Sequence, residues 1–172
     1  MKSSDVLSET TKFDCPIDMM YLLHKAFRTE AVKVVKVAEQ LEVGSSFQPF
    51  TAAFDFWAAA LAYHAEQEDT YMTPPLAHYK EAIDNQEGHR KLEERLEAVL
   101  ECLHEEIGRT SLVYRTKRHL FGNTILVRIA QNDHLEEEEA FILPLVREHM
   151  SEMEQLKLAK RLLIDKDSED PR

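Results

Sequence analysis

The chain has 172 residues, enough to bury one substantial core, and its four glycines and six prolines are about half the share usual in soluble proteins. Breaker-free windows at 17–43, 50–73, 89–107, 123–143 and 145–170 leave too few turn residues for a sandwich or barrel. With 21 basic against 32 acidic residues and a net charge of −11, the composition argues against binding to nucleic acid or to anionic lipid, and 44% hydrophobic residues argue against a disordered acidic chain.

The opening MKSSDVLSET has no apolar stretch and is not expected to be a secretory signal, and the weakly polar run Thr51–Tyr63 is too short to span a bilayer. Two cysteines, Cys15 and Cys102, are too few for a disulfide framework. The expectation is a soluble, cytoplasmic, all-α protein with one domain over 1–172. Its core is expected at about 16–164, with loose tails at 1–14 and 165–172.

In chain order, Cys15-Pro16-Ile17-Asp18 opens a first helix whose apolar positions Met20, Leu23, Phe27, Ala31, Val34, Val35, Ala38 and Leu41 share one face. Gly44 is expected to end it. A second helix is predicted from about Phe50 to Tyr71, with Ala53, Phe56, Trp57, Ala60 and Leu61 on one face and Pro74-Pro75 as its stop. The third, from about Asp84 to Ile107, carries Leu92, Leu96, Val99, Leu100 and Leu103 and closes at Gly108. The fourth, from about Leu112 to Phe141, has a candidate kink at Gly122-Asn123 and ends at Pro144. Ser151 and Glu154, in capping-box spacing, open a short fifth helix. Long amphipathic helices with short connections predict an up-down-up-down four-helix bundle.

The chain also repeats itself. His64-Ala-Glu-Gln-Glu68 precedes Pro74, and His134-Leu-Glu-Glu-Glu138 precedes Pro144, each proline ten residues after its histidine. His24 lies 40 residues before His64, and His89 lies 45 before His134. The pattern is two helical hairpins, each with one histidine on its first helix and H-x3-E on its second. A spacing of four turns a helix by about 400°, so both side chains of each H-x3-E leave one face. That face is the apolar one, because Trp57-Ala60-Leu61 leads onto His64 and Val127-Ala130 onto His134.

One histidine on an apolar stripe is more often a hydrogen-bonded core residue than a ligand. Four at matched places, two with a carboxylate one turn on, point to metal. Imidazole plus carboxylate at a bundle centre is the donor set of a di-iron or di-manganese site. Zinc is the main competitor, but closed zinc sites take four ligands with thiolates common. His78, His104, His119 and His149 read as edge or surface residues, and the run Glu136–Glu139 as a solvated face with only Glu138 turned inward.

The residues His24, His64/Glu68, His89 and His134/Glu138 resemble the hemerythrin-like (HHE cation-binding) domain of bacterial type. The flanking words PIDMMYLLHKAF, HAEQEDTYMTPPL and HLEEEEAFILPLVREHMSEMEQLKLAKRL extend that resemblance over roughly 16–164. It implies two iron ions, oxo- or hydroxo-bridged, with His24, His64, His89 and His134 as terminal ligands and Glu68 and Glu138 as bridging carboxylates. The oxygen-carrying hemerythrins have H-x3-H where this chain has His89-Arg-Lys-Leu-Glu93, and H-x4-D where it has the second H-x3-E. The resemblance is therefore to bacterial hemerythrin-like proteins, di-iron iron-sulfur-repair proteins and the domains of iron-sensing ubiquitin ligases. Glu93 is left as an additional ligand, an outer hydrogen-bonding partner or a surface residue.

The expected function is a non-haem di-iron protein that binds and reacts with O2, peroxide or NO in a redox or detoxifying role. The alternative is a non-catalytic oxygen or iron sensor or carrier. The expected partner is a small diatomic or peroxide ligand, with no nucleic acid and no membrane.

Overall fold

The computed structural model of the protein describes residues 13–105 and 114–163. Most of the 1–14 arm, the 165–172 tail, the third helix's end at Ile107-Gly108 and the fourth helix's start at Leu112 lie outside the described residues. What is described is helical, and no strand occurs among the described residues. A 3-10 turn at Pro16–Met19 leads into α1 (Met20–Gln40), followed by α2 (Gln48–Gln67), a π turn (Glu68–Met72) and α3 (Thr73–Leu76). Then come α4 (Lys80–Glu105), α5 (Tyr114–Glu137), a second π turn (Glu138–Ile142), α6 (Leu143–His149) and α7 (Glu152–Leu163). No helix among the described residues is long and apolar enough to cross a membrane.

Three boundaries differ from the sequence reading. α1 stops at Gln40, and Gly44 sits beyond it at φ 87° in the turn closed by Ser45 N–H donating to the Glu42 carbonyl at 3.0 Å. The glycine serves the turn's left-handed geometry rather than the helix end. Pro74-Pro75 and Pro144 do not terminate their helices. In each case a π turn comes first, with Thr73 N–H donating to the Glu68 carbonyl and Leu143 N–H to that of Glu138. The prolines then fall in the first turn of a new α segment, where a missing N–H costs little. α5 runs unbroken through Gly122-Asn123.

The apolar stripes bury in two clusters. One joins Phe27 to Leu41 of the first hairpin's leading segment with Phe50, Phe54, Trp57, Leu61, Leu92, Leu96, Val99, Leu120 and Val127. The other joins Ile17, Met20, Met72, Leu76, Ala82, Ile142, Leu143, Val146 and two leucines of α7. Phe54, not Phe56, takes the buried face of α2; Phe56 is 67% exposed.

Each long helix runs from one cluster to the other, and the direction alternates along the chain. α1 packs on α2 and α5, and α4 packs on α5 and α2. Asp18 pins the 3-10 turn by accepting hydrogen bonds from Arg147 Nε at 2.9 Å and from the Asp14 N–H at 2.8 Å. At α7, Ser151 N–H donates to Glu154 Oε2 at 2.9 Å, one arm of the expected capping box, while Glu154 N–H reaches back to Ser151 Oγ at 3.4 Å.

Candidate metal centre

Between the two apolar clusters lies a thin polar layer. Its position follows from the stripes themselves: Met20 and Phe27 bracket His24, Leu61 and Met72 bracket His64 and Glu68, Ala82 and Leu92 bracket His89, and Val127 and Ile142 bracket His134 and Glu138. All six of these polar side chains are buried, and the two glutamates are fully so.

They converge into two groups. His24, His64, Glu68 and Glu138 can each offer one donor atom within 4.8 Å of the other three, and Glu68, His89 and His134 do the same. Glu68 belongs to both. In the first group, His64 Nε2 lies 3.2 Å from Glu68 Oε1 and 3.9 Å from Glu138 Oε2, and His24 Nε2 lies 3.5 Å from Glu138 Oε2. In the second, His89 Nε2 is 3.0 Å from Glu68 Oε2. The imidazoles pair edge-on in both, His24 with His64 at 70° and His89 with His134 at 68°.

Both π turns begin on a carboxylate of this layer, Glu68 or Glu138. A π turn carries one extra residue, and such turns recur at functional sites. Here the residue directly after each of these carboxylates is an acid. Asp69 Oδ1 lies 2.9 Å from His89 Nδ1, and Glu139 Oε1 lies 2.9 Å from His24 Nδ1 and accepts from Arg28 Nη1 at 2.7 Å. The contacts cross between hairpins. Each acid follows the H-x3-E of one hairpin and orients the leading histidine of the other.

The reading of Glu136–Glu139 as solvated apart from Glu138 is therefore corrected at Glu139. Asp69 and Glu139 were both missed. The signal available was the repeat itself, which places an acid directly after each H-x3-E.

Glu93 lies exposed on α4 and in neither group. Leu92 and Leu96 occupy the buried stripe, which turns Glu93 toward the groove between α2 and α4, where it lies on the rim with Asp69 and His89. The acid on His89 Nδ1 is Asp69. His78, His104, His119 and His149 are exposed, and both cysteines are free and outside the two groups.

The layer is electrostatically unsettled without a cation. His24 Nε2, both His64 nitrogens, Glu68 Oε1, both Glu138 oxygens and His134 Nε2 are buried without a hydrogen-bond partner among the described residues. Each such atom costs about 1–3 kcal/mol. Burial, then the nearby Glu68 charge, pushes the Glu138 carboxyl well above its usual range. Burial pushes His134 down to about 3, and burial with the neighbouring His24 charge pushes His64 well below the ordinary imidazole value. Burial opposes charge on His89 too, but its hydrogen bonds to Asp69 and Glu68 prevail and raise it to about 10. Glu139, despite burial, is held below the usual carboxylate value by His24 and Arg28.

These groups could hold a metal ion. Nitrogen and oxygen donors without a thiolate suit a transition metal of the imidazole-carboxylate class, and a cation would satisfy the unpartnered atoms together. Beneath the layer, Trp57 Nε1–H donates to Gln131 Oε1 at 2.7 Å, both side chains fully buried. Comparison of the chain with protein-family models, with curated proteins and with solved structures finds no significant match in any of the three.

Proposed function

We propose that this chain is a non-haem di-iron protein of the hemerythrin-like type, an up-down-up-down four-helix bundle that binds and reacts with O2, peroxide or NO. The observation that carries the reading is the pair of buried donor groups sharing Glu68, seven of whose buried side-chain atoms have no hydrogen-bond partner among the described residues. The alternating helix directions and the packing of α1 on α2 and α5, and of α4 on α5 and α2, support the bundle.

In this reading His24, His64 and Glu138 would hold one iron and His89 and His134 the other, with Glu68 offering a donor to each; Glu138, expected as a second bridge, lies in the first group alone. Bound iron supplies Lewis acidity and an electron store for a small oxidant. The chain's own residues do the rest. Asp69 and Glu139 accept hydrogen bonds from the Nδ1–H groups of His89 and His24, which fixes each ring and leaves its Nε2 facing inward. The two apolar clusters exclude water from above and below.

The test starts with metal analysis of the purified chain, followed by its absorption spectrum with and without oxygen. About two irons per chain and an oxygen-dependent near-ultraviolet band are expected. Peroxide consumption by the loaded protein, lost in His64→Ala, marks a reactive protein; iron binding without turnover marks a sensor or carrier. A chain purified without metal that takes up none on reconstitution ends the reading.

A further inference from the structure

The two second-helix histidines have unlike surroundings. His64 is packed against the Phe27 ring at 5.0 Å between centroids, and neither of its nitrogens has a hydrogen-bond partner. His134 forms part of the wall of a surface groove of about 530 Å³ between α4 and α5. Where α4 crosses it stands Gly88, and a Cβ there would lie 2.7 Å from His134 Nδ1.

Six carboxylates line the same groove, Glu81, Asp84, Glu87, Glu94, Asp133 and Glu137, against the two cations Lys91 and Arg95. Among the described residues Glu81, Asp133 and Glu137 form no ion pair, whereas Glu87 and Glu94 are bound by Arg90, and Asp84 by Lys80. A surplus of unpaired carboxylates over a low-dielectric wall concentrates cations.

An acidic rim alone would be unremarkable on a chain this acidic. Two buried side chains of the groove wall separate it from the rest of the surface. Asn85, 6% exposed, has its Nδ2 without a partner, and His134, 5% exposed, has Nε2 without one. The corresponding position to Asn85 in the first hairpin, four residues before the leading histidine, is the buried apolar Met20. A hydrated ion brings water oxygens that the Asn85 amide can donate to, and it then meets the imidazole that is a candidate ligand.

We propose that the α4–α5 groove is the route by which a hydrated divalent cation reaches the centre, with His134 as the ligand that yields to admit it. This rests on the metal-binding reading above. The second groove, between α2 and α4, is the weaker route because it meets His89, which is held at both nitrogens by Asp69 and Glu68. Among the described residues His134 has no corresponding acid in contact.

Stopped-flow loading of the metal-stripped full chain with Co2+, followed by visible absorption at several salt concentrations, tests the route. Two variants each remove two exposed, unpaired charges: Glu81→Gln with Asp133→Asn in the α4–α5 groove, and Glu66→Gln with Glu93→Gln in the α2–α4 groove. The first is expected to load roughly three- to tenfold more slowly at low salt, with a flatter salt dependence, while reaching the parent's final Co2+ content. The second is expected to load at the parent's rate. Equal slowing of both variants, or parental loading by the first, overturns the proposal. A parent chain that takes up no Co2+, Fe2+ or Mn2+ overturns the metal reading and this route with it.

Discussion

Around His24 and His64, Phe27 leans on the His64 ring, and Arg28 locks Glu139 against His24. Around His89 and His134 the same ligand pattern stands beside Gly88, Asn85 and an open acidic groove. Asp69, which does for His89 what Glu139 does for His24, has among the described residues no arginine clamp of the kind Arg28 provides. Duplication of a helical hairpin thus reproduces the candidate ligands and the acids behind them. Access and rigidity are set by neighbouring positions that the repeat does not share.

The largest expected effect comes from the one residue common to both groups. Glu68→Ala should abolish metal uptake at both, whereas His134→Ala should spare the His24 group and leave roughly half the parent's content. Metal analysis after desalting reads the difference, with His119→Ala as an unaffected reference. The same contrast should appear in thermal melts. If both groups of the parent are filled at a metal concentration about 100-fold above Kd, stripping it should lower Tm by roughly 10–20 °C. Equal metal loss in both variants would mean that the two groups load as one unit and that the comparison of halves has no energetic content.

Next is Gly88→Ala. Alanine favours the helix by about 1 kcal/mol, which offsets part of the overpacking cost of about 1–3 kcal/mol in the metal-free protein. The added methyl meets His134 Nδ1 at 2.7 Å and must turn the ring. Metal affinity should then fall by about tenfold, a loss of roughly 1.4 kcal/mol. Competition with a chromophoric chelator measures it; unchanged affinity would show that His134 has room to spare.

The halves also differ in how pH acts on the metal-stripped fold. His89, raised from 6.5 to about 10, adds stability that is fully present below pH 6.5 and is lost as pH climbs toward 10. His134, lowered from 6.5 to about 3, acts the other way, because below pH 6.5 the unfolded chain takes up a proton that the folded chain refuses. His64 adds to that acid-side loss. Urea midpoints between pH 5 and 9 should therefore peak near 6.5. The raised Glu138 carboxyl also loses stability as pH climbs, so His89→Gln should lessen the alkaline limb and His134→Gln, with His64 still present, should lessen the acid one. A parent protein with midpoints flat across this range would contradict both assignments.

The smallest effect is expected at Glu93. The residue is exposed on α4 and outside both groups, so Glu93→Gln should leave metal content, spectrum and stability within error of the parent. A changed spectrum would place its carboxylate on the centre after all.

The six candidate ligands were legible because their signal is local. An i, i+4 pair on an apolar stripe reports its own direction, and its repetition 70 residues on, at His134, makes coincidence a poor account of it. The helices were legible for the same reason, down to the Ser151/Glu154 cap. Pro74-Pro75 and Pro144 misled because the cost of proline depends on the turn before it, and a π turn leaves no mark in hydrophobic periodicity. Phe56 misled because it sits one position from Trp57, and a 100° step is enough to carry a ring from core to solvent.

What the sequence by itself determined is which side chains share a helix face and therefore which polar groups each helix must bury. What only the tertiary structure decided is what those groups meet. Asp69 reaches His89 across 20 residues and Glu139 reaches His24 across 115, and neither distance is coded in any window of the chain. Gly88 counts only because another helix lies against it. The physical reason is that burial is a property of one element's own periodicity, whereas hydrogen bonding, close approach and access belong to pairs of elements. Those pairs exist only once the helices have packed.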